Sequence, residues 1–161
     1  MTDRASANNT TASATEEQQH RELMDFLTNN SQMRETARNA LKQALWSGGA
    51  AVAGGMLLGP IGGLVGGIAG SVVGFMQSNP YDGIVQHLGQ LPVEHRGKLV
   101  QSVGKVLVDA GASPAELSAP GAFQAKLRDL ASRGPVREHI WRACMDVMNE
   151  EGAHEANLTS S

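Results

Sequence analysis

Residues 54–76 read Gly54-Gly55-Met56-Leu57-Leu58-Gly59-Pro60-Ile61-Gly62-Gly63-Leu64-Val65-Gly66-Gly67-Ile68-Ala69-Gly70-Ser71-Val72-Val73-Gly74-Phe75-Met76, glycine alternating with large aliphatics. The wider stretch from Gln43 to Tyr81 contains no Asp, Glu, Lys, Arg or His. The glycines fall in two rows spaced by four: Gly55, Gly59, Gly63 and Gly67, continued by Ser71, and Gly62, Gly66, Gly70 and Gly74. Residues three and four apart share one face of an α-helix. At about 100° per residue, Gly62, Gly63, Gly66, Gly67, Gly70 and Gly74 lie on one arc, with Val73 the single bulky member. Ile61, Leu64, Val65, Ile68, Val72, Phe75 and Met76 lie on the opposite arc.

In water such a helix is poor, because each glycine costs about 1 kcal/mol relative to alanine in a helix interior. In hydrocarbon, unpaired backbone groups cost several kcal/mol each, so the helix is enforced despite its glycines. Bare glycine faces also let helix backbones approach closely, where van der Waals contact drives association. The block therefore reads as a membrane-embedded glycine zipper. A flexible linker would carry Ser and other polar residues between its glycines, and a phosphate-cradling loop would continue into Gly-Lys-Ser/Thr; neither pattern is present. The buried central hairpin of a soluble oligomer stays open as an alternative.

Pro60 follows Gly59 in mid-segment, a turn or kink signal because proline removes a helix hydrogen bond and clashes with the preceding turn. The arms on either side, Ala44 to Leu58 and Ile61 to Gln77, are each about 22–25 Å long at 1.5 Å per residue, short of a hydrocarbon core of roughly 30 Å. Two short arms joined at Gly59-Pro60 make a re-entrant helical hairpin. Arg34, Arg38 and Lys42 precede the block and Arg96 and Lys98 follow it. Positive charge on both sides fits two cytosolic ends. Trp46 and Tyr81 bracket the stretch as interfacial anchors.

The chain has 161 residues, a formal net charge of -3 and 4% aromatics. That size suits one modest domain with tails, and the charge argues against a nucleic-acid binder, which needs a basic face. The single cysteine, Cys144, allows no intramolecular disulfide and fits a reducing compartment. No apolar run follows Met1, so no secretory signal is expected, and Thr2 stands where N-myristoylation needs glycine.

Hydrophobic periodicity and turn residues divide the chain into five parts. Residues 1–15 read as a polar, disordered leader. Residues 16–43 carry an amphipathic helical pattern through Leu23, Phe26, Leu27, Met33, Ala37, Ala40 and Leu41. Asn29-Asn30-Ser31 interrupts it and caps a second helix near Gln32. Arg34, Arg38 and Lys42 run along one side at steps of four, either a strip for anionic headgroups or an ordinary solvated face. Residues 44–77 are the hairpin.

Residues 78–150 read as a small helical domain: a turn at 78–83, a short helix from Ile84 to Leu88, and a longer one from Val93 to Ala110 ended by Gly111. A Ser113-Pro114-Ala115-Glu116 helix start follows, then helices marked by Phe123, Leu127, Leu130 and Ala131 and by Val136, Ile140, Cys144, Val147 and Met148. Residues 151–161 read as a disordered tail. The fold class is all-α, a membrane-inserted glycine-zipper hairpin flanked by an N-terminal amphipathic helix and a small C-terminal helical domain.

No catalytic or metal site emerges. His20, His87, His95, His139 and His154 are not spaced as a zinc set with an acid or thiol, and Cys144 lies on the apolar stripe of the last helix as a buried thiol would. Ser71 continues a small-residue row and is not in a G-x-S-x-G elbow. No cofactor is expected, and no enzymatic activity.

The block from Gly54 to Met76, with Ala37 to Trp46 before it and Leu88-Gly89-Gln90-Leu91-Pro92 after it, resembles a known family. It is similar to the small glycine-zipper membrane proteins altered in mitochondrial membrane protein-associated neurodegeneration, a brain-iron-accumulation disorder. The likeness runs from about Leu23 to Leu117, through Gly-Pro inside a Gly-Gly-rich hairpin and then Leu-Pro with Glu94 soon after.

The resemblance implies a protein of mitochondrial and endoplasmic-reticulum membranes and their contacts, sometimes lipid droplets. It also implies roles in lipid homeostasis, autophagy, mitochondrial calcium handling and the oxidative-stress response. The expected partners are membrane lipids, a second copy through the glycine faces as a homo-oligomer, and a protein bound by the C-terminal helices; no nucleic acid is expected. Two other functions stay open: a self-assembling membrane pore or ion conduit, and a soluble helical oligomer with a buried glycine-rich hairpin.

Overall fold

The computed structural model describes the backbone of residues 3–47 and 80–159 and the side chains of residues 11–43 and 81–151. The 44–77 hairpin, its turn at Gly59-Pro60 and its packing residues Gly55, Gly59, Gly62, Gly63, Gly66, Gly67, Gly70 and Gly74 lie outside the described side chains. Among the described residues there are seven helices and no strand: α1 (Asp3–Asn29), α2 (Ser31–Ser47), α3 (Pro80–Gly89), α4 (Val93–Asp109), α5 (Pro114–Leu117), α6 (Ala122–Leu130) and α7 (Gly134–Thr159). The all-α class follows as expected. No helix among the described residues is long and apolar enough to cross a membrane.

Local chemistry explains the boundaries. The carboxamide of Asn30 accepts the Met33 backbone N–H at 2.8 Å, a side-chain N-cap that starts α2 where the Asn29-Asn30-Ser31 break predicts. α4 ends in a Schellman motif: Gly111 N–H donates to the Val108 carbonyl and Ala112 N–H to the Leu107 carbonyl, both at 2.9 Å. Gly111 has φ +113° there, a conformation that glycine adopts without steric cost. At α5, Glu116 reaches back to accept the Ser113 backbone N–H at 3.1 Å, the reciprocal half of a capping box.

α6 has no local side-chain cap; its cap comes from α1. Glu22 accepts the Gln124 N–H at 3.1 Å, and Gln124 donates its amide to Asp25 at 2.6 Å. Glu22→Ala is expected to cost about 1 kcal/mol, the usual value of a lost cap. A urea titration of the full chain measures it, and an unchanged midpoint would show that the contact is idle.

All seven helices feed one core. Its largest fully buried side chains are Tyr81, Phe123, Leu23, Leu27, Met33, Leu88, Leu91, Leu99, Leu107, Leu127, Ile140 and Val103. α4 packs against α7, α1 lies across α3, α4 and α6, and α2 lies on α7 and α3. Acids on α1 secure these crossings: Glu17 pairs with Arg96 at 2.8 Å, and Asp25 pairs with Arg128 at 3.6 Å.

Two sequence expectations change. The leader read as disordered is helical from Asp3 onward. No Gly or Pro occurs between Asp3 and Asn29, so a helix anchored by Leu23, Phe26 and Leu27 extends outward at little cost per added residue. The tail read as disordered from Glu151 is helical to Thr159. Glu151 is itself only 7% exposed and accepts a hydrogen bond from His87 at 2.9 Å, which pins that turn to α3.

Candidate functional site

The described residues that flank the uncharged block are those of α2, which leads into it, and α3, which follows it. Met33 and Ala37 are fully buried and Ala40 and Leu41 partly so, and these positions fix the roll of α2. With that face inward, the three cations read as one strip are divided. Arg34 turns to α3: its guanidinium lies 3.2 Å from the Asp82 carboxylate and 5.5 Å from the centre of the Tyr81 ring. At 39% and 52% exposure the ion pair is worth at most about 1 kcal/mol, so Arg34 acts as a modest clasp between two helices. Arg38 and Lys42 are exposed, and among the described residues neither is in an ion pair.

Tyr81, expected as an interfacial anchor, is in the core at 0% exposure. Its hydroxyl donates to the Leu27 carbonyl at 2.6 Å, and its ring stacks on Trp141 with centroids 5.6 Å apart. Burial pushes the phenol above its usual range. The cause is the start of α3 at Pro80, a position proline favours in a helix. That start puts Tyr81, Ile84 and Leu88 on one inward face, at steps of three and four. Starting the helix at Ile84 leaves Tyr81 outside that pattern. Trp46 belongs to the last turn of α2, and its side chain is outside the described ones.

Between α2 and α7 runs an open groove of about 630 Å³, lined by Gln32, Thr36 and Gln43 on one side and by Arg137, Trp141 and Met145 on the other. The two helices run parallel along it. Arg137 donates to Thr36 at 3.2 Å and to Gln32 at 3.3 Å near its beginning. The same guanidinium donates to the carbonyls of Ala131 at 2.7 Å and Ser132 at 2.8 Å, which ties the α6–α7 turn to α2. Glu35 and Glu138 line the groove near that beginning, and Arg142 lines it farther along. Arg142 is exposed.

The titratable groups singled out in the sequence go to separate partners. His20 is buried and donates from Nε2 to the Leu88 carbonyl at 3.0 Å. His139 donates from Nδ1 to the Pro135 carbonyl at 2.7 Å. His87 binds Glu151, and the Nδ1 of His95 is buried without a hydrogen-bond partner. Cys144 is fully buried, as its place on the apolar stripe predicts, and burial pushes its thiol up to about 12. Among the described residues no group of three or more His, Cys, Asp and Glu side chains is placed to hold a metal ion.

Burial holds the His20 pKa below its ordinary value, against a smaller opposing effect of the Leu88 hydrogen bond. The unfolded chain therefore takes up that proton first as pH falls. The contribution of neutral His20 to stability is complete above about pH 6.5, the ordinary histidine value, and declines as pH drops below it. Urea midpoints of the wild type at about pH 7.5 and about pH 5.5, on either side of that value, should differ more than those of His20→Gln. Equal differences would remove His20 as the source.

The family model described as C19orf12-like protein matches residues 1–152. No curated protein and no solved structure matches the chain.

Proposed function

The chain belongs to the C19orf12-like family, the family altered in mitochondrial membrane protein-associated neurodegeneration, and from that premise we propose that it is a membrane-anchored protein without enzymatic activity. Its 44–77 block inserts as a helical hairpin whose glycine faces pack arm on arm and copy on copy, while the helical body stays on the cytosolic side. The setting is mitochondrial and endoplasmic-reticulum membranes, with lipid droplets a further site. The roles are lipid homeostasis, autophagy and the mitochondrial calcium or oxidative-stress response. The helices of 78–150 supply the surface for a protein partner.

One observation carries the reading. The stretch from Gln43 to Tyr81 has no charged residue or histidine and holds glycines in rows of four, a pattern costly in water and favourable where close helix packing replaces solvation. The all-helical body beside it accords with a cytosolic domain carried by such an anchor. Cell fractionation with protease protection of both termini tests this. Carbonate-resistant membrane association with both termini cleavable from the cytosol supports the hairpin, and one protected terminus would mean a single kinked span. Full recovery in the soluble fraction without detergent would overturn the reading in favour of a soluble oligomer.

A further inference from the structure

We infer that the end of the α2–α7 ridge nearest the uncharged block is a docking surface for a bilayer rich in anionic phospholipid, with Arg38, Lys42 and Arg142 as its headgroup contacts. The inference rests on the membrane-anchored reading and specifies which face of the helical body meets the lipid.

Three observations carry it. Arg38, Lys42 and Arg142 are all exposed, and among the described residues none is in an ion pair. Arg34, in the same sequence strip, is engaged by Asp82 and Tyr81 and is excluded from the surface.

Second, charge along the ridge is ordered. α2 and α7 run parallel: Arg137 reaches Thr36 from Nε, and Gln32 from the Nη1 that also bonds the Ala131 and Ser132 carbonyls just before α7, so the start of α2 lies at the start of α7. The acids that line the groove, Glu35 and Glu138, precede Arg38 and Arg142 by about one helical turn and Lys42 by about two. Asp146 and Glu150 are exposed on the flank of α7 that faces α4, with Glu150 3.8 Å from Lys98, and Glu151 is buried against His87, so the acids beyond Arg142 face away from α2.

Third, the basic end is where α2 runs into the block: Lys42 is five residues, about 7.5 Å along the helix axis, from Ser47, where α2 ends. An apolar anchor in the bilayer holds that end close to the headgroups, within the Debye length over which surface charge attracts Lys and Arg. Each such residue shifts the docked-to-undocked ratio roughly fivefold.

Cys144 is the single cysteine and is buried, so a cysteine introduced at an exposed site can be labelled selectively. Asn39→Cys on α2 and Ser118→Cys at the α5–α6 corner, both exposed, are labelled in the full chain with a polarity-sensitive dye. The protein is reconstituted into vesicles of neutral phosphatidylcholine or of the same lipid with phosphatidylserine, each doped with a headgroup-attached quencher. The expected result is quenching at position 39 that requires phosphatidylserine, little quenching at position 118, and a fall in the docked ratio on the order of a hundredfold in R38Q/K42Q/R142Q, taking three cations at that fivefold value. Protein that floats with the vesicles while both positions are quenched equally, or neither is, would overturn the docking surface and leave the anchor intact. Protein that fails to float with either vesicle would overturn the anchor and the docking surface together.

Discussion

Tyr81→Ala is expected to destabilise the helical body by about 3–5 kcal/mol, the cost of deleting a large buried aromatic. In a domain of this size that loss lowers the melting temperature by roughly 6–20 °C. The ring has no exposed surface, stacks on Trp141 and lies beneath the Arg34 guanidinium, so its loss leaves a cavity shared by α2, α3 and α7. Tyr81→Phe separates the contributions. It keeps the stack and removes the hydroxyl that donates to the Leu27 carbonyl, at about 1 kcal/mol for a single neutral hydrogen bond. Val93, 67% exposed, is the control, because Val93→Ala should stay within about 0.5 kcal/mol of wild type. The measurement is the thermal melt of the full chain followed by circular dichroism. A Tyr81→Ala melt that coincides with wild type would return Tyr81 to the surface and to its first role as an interfacial anchor.

Gly66→Leu or Gly67→Leu should impair hairpin packing and membrane retention. Both residues lie on the glycine arc, where, in the proposed hairpin, a leucine side chain would stand between two closely packed backbones. Forcing that volume into a packed contact costs about 1–3 kcal/mol, or roughly five- to more than hundredfold in the population of the packed hairpin. Replacing Leu64 or Ile68, on the opposite arc, by another large aliphatic should have little effect, since in the proposed hairpin that arc would face lipid and need only remain apolar. Carbonate extraction of membranes carrying each variant is the assay. Wild-type-like resistance in both glycine variants would mean that the glycine arc is not a packing surface.

Much of the helical body is legible in the sequence, and the legible parts share a cause. The Asn30 cap, the Gly111 stop and the Ser113 start are decided by residues within a few positions of one another, so local chemistry is enough. The amphipathic stripes at Leu99, Val103 and Leu107 and at Ile140, Cys144 and Val147 are equally plain, because burial of one helix face imposes a period of three and four.

What was not legible depended on distant neighbours. Glu22 looks like any surface acid until α1 brings it to the open N-terminus of α6. His20 is one of five histidines, and nothing near it in the chain signals that its ring is buried against Leu88. The strip of Arg34, Arg38 and Lys42 has an even spacing that suggests a common role, yet Asp82 and Tyr81 claim the first and leave the other two. Arg142 follows Lys42 by 100 residues along the chain, and only the parallel packing of α2 and α7 puts it on the same ridge.

Composition and local order were enough to determine an all-helical body among the described residues and one uncharged, glycine-rich block, because helix periodicity, capping residues and the absence of charge act over a few residues. Tertiary structure alone decided which polar side chains hold helices together and which remain free. That choice depends on which helix faces meet, and only side-chain packing in three dimensions sets those partners.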